Sequence, residues 1–365
     1  MDRPTLSTWQ QPPYHRWAYQ HVRELIPTER IWRGEGPPSS LPMDVRPIPD
    51  DLAAALAETW TDAFLVMHRG TVIHEHYETG MTPASTHLMQ SVTKSVVSTV
   101  AGIQVGRGEL DPEHEVSEYI PELEGTSFDG CTVRHLLDMR AGTKFGEDYE
   151  DPTSDVRLFE PIIGWSPPDG ELAAPDLYTY ITTLGLAFPH GDHFDYRSIL
   201  TDTLGWVVER VGGASLAQLI SREIWQPMGA EQDADITVDR LGHALGDGGM
   251  CASLRDLARF GELVRTGGGG GIIPSDWIDD TFRGDEECRR AWLAGDREER
   301  APDGHYRNKW WVFDPAGVMM ALGIHGQMIY VDRLREVVAV KLSTWPTPLN
   351  DDASFRVVDA IKAAM

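Results

Sequence analysis

A serine and a lysine three residues apart are the pair in this chain whose types and spacing could do chemistry. Ser91 and Lys94 lie in the stretch LMQSVTKSVV, and Lys94 is one of only five lysines among 32 basic residues. A desolvated lysine can lose its proton, whereas arginine in practice cannot. If the stretch is helical, both side chains lie on one face near the helix start. We therefore predict that Ser91 is a nucleophile and that a neutral Lys94 accepts its proton.

The pair needs elements that position it, and the apolar run from Leu88 to Val105 is the nearest. A run of about 18 residues is too long for one strand, so it predicts a buried helix. The stretches 198–213 and 254–267 also have apolar residues at helical spacing. Residues 63–80 alternate as a two-stranded hairpin, and strand-like runs return at 319–344.

Strands near both chain ends with helices between them predict an α+β fold. One lobe is an antiparallel sheet built from about 51–85 and 300–365 and flanked by helices. The other is a helix-rich insertion at about 86–299, and together they form a catalytic domain over 51–365. Residues 1–50, rich in Pro and Trp, are expected to form an extended N-terminal arm packed on this core.

The formal charge of −25 argues against nucleic acid and anionic membranes as partners, because both bind basic patches. The sequence has no apolar run long enough for a membrane span and no signal-peptide core, so we expect a cytoplasmic protein. The acidity is compatible both with solubility and with salt adaptation. Three cysteines without a CxxC pair make a disulfide framework or a structural zinc site unexpected.

Two groups of histidines raise the question of a metal. His74 and His76 share a strand face, and His190 and His193 flank Asp192 in a polar loop. Neither group has a third ligand at metal-binding spacing, and a solvated strand face and a polar hairpin explain them equally well. We expect neither a metal nor a cofactor.

A four-residue pattern arises by chance, so the Ser-x-x-Lys pair needs partners, and the order of later motifs supplies them. SVTK is followed by VRHLLDMRAG, by a Tyr-x-Ser loop, by GGMCASLRDLARF and by a glycine-containing strand, ALGI. This order resembles that of class C serine β-lactamases and penicillin-recognising DD-peptidases. The chain is most similar, within that superfamily, to the 6-aminohexanoate-dimer hydrolases, through stretches such as STWQQPPYHRWAY, GEDYEDP and GIHGQ.

The resemblance implies roles for individual residues. Ser91 is the acyl-forming nucleophile, Lys94 its base partner, and Tyr196 a general acid for the leaving group. The backbone amides of Ser91 and Ile324 form an oxyanion hole. The implied reaction is hydrolysis of linear amides, such as 6-aminohexanoate oligomers, and of small carboxylic esters. The resemblance also implies that the protein forms a homodimer. The only other partner that it implies is the small-molecule substrate.

The same resemblance implies a substrate pocket shaped by Tyr149, Asp247 and Trp311. Two further substrate-binding candidates are Glu160 and His325. His325 lies two positions after Gly323 and would share its strand face. Alternative interpretations stay open: the two aromatic residues could only pack, and Asp247 could only form a turn.

Two motifs depart from the β-lactamase pattern. Ser198 stands where β-lactamases carry the Asn of Tyr-x-Asn, and Ala321 stands where they carry a cation that holds the penicillin carboxylate. Poor turnover of β-lactams is therefore expected. The alternatives are a β-lactamase or DD-peptidase-like protein, and a sensor that is acylated without turnover.

Overall fold

The computed structural model of the protein describes residues 3–295 and 301–365. The strands are β1 (Thr28–Ile31), β2 (Thr61–His68), β3 (Thr71–Tyr77), β4 (Thr86–Leu88), β5 (Ala234–Thr237), β6 (Met250–Ser253), β7 (His305–Arg307), β8 (Trp310–Asp314), β9 (Val318–Gly323), β10 (Gln327–Asp332) and β11 (Val337–Ser343). The helices are α1 (His15–Ala18), α2 (Asp50–Glu58), α3 (Val92–Gly106), α4 (Val116–Tyr119), α5 (Val133–Leu137), α6 (Asp155–Phe159), α7 (Leu177–Thr182), α8 (Ile199–Gly212), α9 (Leu216–Ile220), α10 (Leu254–Arg265), α11 (Ser275–Arg283), α12 (Glu286–Ala294) and α13 (Asp351–Ala364).

The large sheet is built from both ends of the chain, which confirms the predicted α+β class. Its strand order is β3-β2-β11-β10-β9-β8-β7, and all neighbouring strands are antiparallel. Alternate residues of β2 face different cores: Leu65 joins the main core, whereas Phe64 and Val66 face the cluster that includes residues of α2 and α13. Because both faces are covered, β11 reads as an apolar run without alternation.

The central helix α3 is buried on every side from Val92 to Gln104, which explains why its sequence is apolar throughout. Helices were correctly predicted here and at α8 and α10. The boundary predicted between the lobes at 299/300 lies outside the described residues, as do residues 1–2 of the predicted arm. No helix in the described part of the chain combines the length and the apolarity that crossing a membrane requires.

A second sheet, with the order β1-β5-β6-β4, was not predicted. Its strands have only three or four residues each and come from distant parts of the chain, so no sequence window carries their pattern. The sheet matters for the site because β4 leads directly to Ser91. The N-terminal arm is also less extended than expected, since it contains α1 and contributes β1.

Candidate active site

Ser91 is presented by a tight strand–turn–helix connection. β4 ends at Leu88, α3 begins at Val92, and Ser91 is the residue that caps the helix N-terminus. The preceding residue, Gln90, has a φ of 49°, a left-handed conformation that is uncommon for a residue with a side chain. Ser91 therefore stands half-buried in the positive field of the helix N-terminus, which favours developing negative charge.

Lys94 contacts Ser91 as the spacing predicted. Its Nζ donates to Ser91 Oγ at 2.8 Å, to Ser198 Oγ at 3.0 Å and to the backbone oxygen of Asp247 at 2.6 Å. These three acceptors match the three protons of an ammonium group. The side chain is only 1% exposed, so no water competes for it.

The neutral state predicted for Lys94 stays a prediction, and the surroundings of its amine oppose that state. Burial alone would lower the pKa of Lys94, but Tyr196 and the nearby acidic groups, Asp247 foremost, outweigh it and raise that pKa above its ordinary value. These surroundings favour the ammonium form of Lys94. The site must lose a proton before Ser91 can give one up.

Tyr196 completes the set around the nucleophile. Lys94 Nζ lies 5.3 Å from the centroid of its ring, and Tyr196 and Ser91 line the same cavity. Its ring stacks on Trp311, with 5.4 Å between the ring centroids and 18° between the planes. Burial raises the pKa of Tyr196, and the neighbouring Lys94 charge opposes that rise. The two groups therefore titrate as a pair beside the Ser91 hydroxyl, each favouring the charged form of the other.

Glu147 is a site residue that the sequence reasoning missed. It accepts a hydrogen bond from the Tyr149 hydroxyl at 2.6 Å and another from the backbone N–H of Ser198. Burial raises the pKa of Glu147. The carboxylate thereby ties Tyr149 to the loop that carries Tyr196. Its position in the sequence, two residues before Tyr149 in GEDYEDP, could have indicated that Glu147 belongs to the site.

Asp202 is a second missed residue. Its Oδ1 accepts from the backbone N–H of Asp247 at 3.0 Å, so it fixes the segment whose carbonyl accepts from Lys94. Burial and the charge of Asp247 hold the pKa of Asp202 well above its ordinary range. Burial also raises the pKa of Asp247, whose Oδ2 lies 4.0 Å from Lys94 Nζ. Asp202 lies on α8, one turn after Ser198, a spacing that could have found it.

The end of β9 approaches Ser91 closely enough to exclude a side chain at Gly323. A Cβ atom there would lie 3.0 Å from the amide nitrogen of Ser91 and 2.7 Å from the carbonyl oxygen of Met89. The next residue is Ile324. This approach places the two predicted oxyanion donors, the amides of Ser91 and Ile324, on adjoining segments.

A cavity of about 520 Å³ opens onto Ser91, Tyr149, Tyr196, Trp311 and Ile324. A side pocket of about 40 Å³ shares three of these residues, and the two pockets meet at the nucleophile. The residues shared by both linings are Ser91, Tyr149 and Ile324.

The side pocket also takes in Asp247 and Glu160, the latter accepting from Arg157 at 2.5 Å. Among the described residues, His325 lines neither pocket. Its ring is buried and its Nδ1 donates to the backbone oxygen of Trp345 at 2.7 Å. Seven of the nine predicted site residues thus line the two pockets. Lys94 is buried and hydrogen-bonded to Ser91, and His325 follows Ile324 in the chain without lining either pocket.

The histidines considered as metal ligands have local partners. His74 Nδ1 lies 3.1 Å from the Arg46 carbonyl oxygen, and His76 Nε2 lies 2.9 Å from a Glu78 oxygen. His190 accepts from the backbone of Gly142 at 2.9 Å. His193 pairs with its neighbour Asp192 at 3.1 Å. Each of the four rings thus has one nitrogen in contact with a neighbouring group of the chain.

Comparison with known proteins bears directly on this site. The family described as Beta-lactamase matches residues 50–363. A 6-aminohexanoate-dimer hydrolase from Paenarthrobacter ureafaciens is 38% identical over 356 residues, which cover 94% of this chain and 89% of the relative. Esterase EstB from Burkholderia gladioli is 28% identical over 155 residues, 39% of this chain and 36% of that protein.

Solved structures agree with the sequence relatives. A protein described as a candidate 6-aminohexanoate-dimer hydrolase from Bacillus anthracis superposes with a TM-score of 0.90 at 27% identity, covering 100% of this chain and 98% of the other. The matched length includes the arm, both sheets and the segments that carry the pockets.

Proposed function

The chain belongs to the Beta-lactamase family, and on that premise we propose that it is a serine hydrolase that cleaves linear amides and small carboxylic esters through an acyl-enzyme. The observation that carries this proposal is the Ser91 hydroxyl, which accepts from Lys94 Nζ at the wall of an open cavity that Tyr196 also lines. The names of the relatives, an amide hydrolase and an esterase, support the substrate class.

Acylation begins when the Lys94–Tyr196 pair releases one proton to solvent. The pair then accepts the proton of Ser91, and Ser91 Oγ attacks the substrate carbonyl carbon. Negative charge develops on the carbonyl oxygen, which the amides of Ser91 and Ile324 stabilise. The C–N or C–O bond breaks as Tyr196 returns the proton to the leaving group. Water then repeats the sequence on the ester of Ser91, giving up a proton to the pair, which restores the serine hydroxyl.

The lining of the main cavity favours linear acyl chains, including one that ends in an ammonium, over β-lactams. Its apolar wall includes Trp311, Phe313 and Leu322. None of its lining residues in the described part of the chain is a lysine or an arginine. A penicillin carboxylate would therefore be desolvated beside Glu147 and Asp148 without a compensating cation.

The test compares p-nitrophenyl butyrate, 6-aminohexanoate dimer and nitrocefin as substrates. Wild type should hydrolyse the ester and the dimer and should hydrolyse nitrocefin poorly. Ser91→Ala should lose about 10³-fold or more in kcat. Ser95→Ala is the matched control, because it removes a buried hydroxyl from the same helix whose partner is the Lys309 backbone. Full activity in Ser91→Ala, or loss of activity with excess chelator, would contradict the proposal.

Intact-protein mass spectrometry after a short ester pulse separates an enzyme from an acylated sensor. An enzyme accumulates product and shows little adduct once substrate is consumed. A persistent adduct without product would instead support the sensor. Nitrocefin turnover far above dimer turnover would replace the proposal with a β-lactamase.

The homodimer and the cytoplasmic location that the sequence suggested stay predictions. Light scattering during size-exclusion chromatography measures the first. We expect a mass of twice the 40.7 kDa chain, and a monomer would contradict this part of the proposal.

A further inference from the structure

The N-terminal arm reaches behind both donors of the oxyanion hole. We propose that residues 7–26 of the arm position these two backbone amides, with Tyr19 and His15 as the positioning residues. The proposal rests on the proposed function, because it concerns the amides of Ser91 and Ile324.

The first contact is with the residue before the nucleophile. The Gln90 side chain donates through Nε2 to the Tyr19 hydroxyl at 2.9 Å, and the Leu88 backbone N–H donates to the Tyr19 carbonyl oxygen at 2.8 Å. Tyr19 is fully buried. One arm residue therefore holds both ends of the short turn that leads into Ser91.

The second contact is with the residue after the other donor. His325 follows Ile324, and its ring lies edge-on to the rings of His15 and Tyr19, with centroids 5.6 and 5.7 Å away. His15 Nε2 and His325 Nδ1 both donate to the backbone oxygen of Trp345, at 2.9 and 2.7 Å. The Trp345 backbone N–H in turn donates to the His325 carbonyl oxygen at 3.1 Å.

The two residues held in this way share an unusual backbone. Gln90 has a φ of 49° and His325 a φ of 59°. Residues with side chains keep left-handed conformations only where their surroundings over-determine them, and such strain clusters at functional sites. Each of these residues adjoins one oxyanion donor. The arm contacts both, so it fixes the separation of two amides that lie on different segments of the chain.

The arm is itself anchored rather than loosely laid on the surface. Trp9 is 1% exposed, and its Nε1 donates to the backbone oxygen of Trp165 at 2.6 Å. Its ring also contacts the Trp165 ring edge-on at 5.0 Å. Trp165 lines the side pocket. The arm that carries Tyr19 and His15 is therefore anchored on a residue that lines the side pocket.

Tyr19→Phe tests the first contact by removing one hydroxyl. We expect kcat for ester and dimer to fall about three- to tenfold with KM nearly unchanged, because the hole acts mainly on the transition state. Inactivation by a p-nitrophenyl alkylphosphonate, which places a charged oxygen in the hole, should slow by a similar factor. Tyr330→Phe is the matched control: it removes another buried tyrosine hydroxyl, bonded to Asp332 at 2.9 Å, on the other face of the sheet.

His15→Ala and His15→Gln test the second contact. Alanine removes the donor to Trp345, whereas glutamine retains an N–H donor, so His15→Gln should keep more of kcat than His15→Ala. This pair decides the proposal if Tyr19→Phe does not fold. Equal kcat in His15→Ala and His15→Gln would overturn it.

The outcomes separate this inference from the proposed function. A wild type that neither hydrolyses the substrates nor acquires an adduct on Ser91 contradicts the proposed function itself. With an active wild type and an inactive Ser91→Ala, a Tyr19→Phe variant that matches Tyr330→Phe in kcat overturns the inference alone. A rise in KM at constant kcat would also overturn it.

Discussion

Two serine–lysine pairs in the described part of the chain, Ser91–Lys94 and Ser343–Lys341, can be compared, and of these two serines Ser91 lines a cavity. Ser91 is half-buried in a cavity wall, with Lys94 Nζ 2.8 Å away. Ser343 is fully buried and accepts from Lys341, which also donates to the Thr59 backbone oxygen at 3.1 Å. Proximity of a lysine to a serine is therefore not sufficient for a nucleophile. Access for a substrate carbonyl distinguishes the two pairs.

The two lysines also differ in charge although each is 1% exposed. Burial lowers the pKa of Lys341 to about 7, and Asp62 opposes it only weakly. Burial also opposes the charged form of Lys94, but Tyr196, Asp247 and further acidic groups raise its pKa above the ordinary value. Neighbouring charge, and not burial, decides which buried lysine keeps its proton. The lysine beside the accessible serine is the one whose surroundings favour the charged form.

The largest effect that sharpens this comparison is expected from Lys94→Arg. Arginine keeps the positive charge but cannot take part in proton transfer at ordinary pH. We expect a loss of kcat of about 10³-fold or more, close to that of Lys94→Ala. Lys341→Arg, measured beside it, should keep most of the activity if it folds. Retention of most activity in Lys94→Arg would show that Lys94 acts only as a charge.

The next effect concerns the stability that the buried Ser343–Lys341 pair contributes. Lys341 has a folded pKa of about 7 against 10.5 for a free lysine. Between these values the unfolded state binds more protons, so stability should rise with pH across this window. Lys341→Met should remove this rise, which amounts to a few kcal/mol. Urea unfolding of both proteins at pH 7 and at alkaline pH measures it, and parallel pH dependences would contradict it.

A smaller effect, about tenfold per pH unit, is expected in the pH dependence of kcat/KM. The Lys94–Tyr196 pair must lose a proton before Ser91 can be activated, and the pKa values of both residues are raised. Ester hydrolysis, corrected for the uncatalysed rate, should therefore increase with pH through the alkaline range. The measured pKa belongs to the pair and not to one residue. A flat profile from neutral to alkaline pH would mean that the resting pair is already deprotonated.

The smallest effect is expected from Tyr149→Phe. An amide nitrogen leaves poorly unless it is protonated, and the Tyr149 hydroxyl, held by Glu147, lies where it can orient that nitrogen. Loss of one neutral hydrogen bond is worth about 0.5–1.5 kcal/mol, so hydrolysis of the dimer should fall several-fold. Butyrate ester hydrolysis should change much less. Equal losses on amide and ester would assign Tyr149 a packing role.

Short-range patterns in the sequence were sufficient for the helix that carries Ser91 and Lys94 and for the α+β class. The apolar run of α3 and the strand runs of the terminal region are local signals. Tyr196, Trp311 and Ile324 came from the resemblance to a family, and the structure places them beside the pair. Their chemical roles stay predictions.

The charge of Lys94 could not be predicted from its neighbours in sequence. It depends on Glu147, Asp202 and Asp247, which loops and a different helix bring to it from distant positions. The arm contacts of Tyr19 are likewise long-range, and the short strands of the second sheet form only where their partners already lie. In each case the deciding interaction joins segments that no sequence window contains.

Direct titration of the lysine side chains tests the central claim that charge, and not burial, separates the two pairs. The chain has only five lysines, so the NMR signals of isotope-labelled side-chain amines can be assigned with Lys94→Met and Lys341→Met, each of which removes one signal. The account predicts that the Lys341 signal titrates near pH 7 while Lys94 is still protonated above the ordinary range of lysine. A Lys94 signal that titrates at or below the pH at which Lys341 titrates would contradict it.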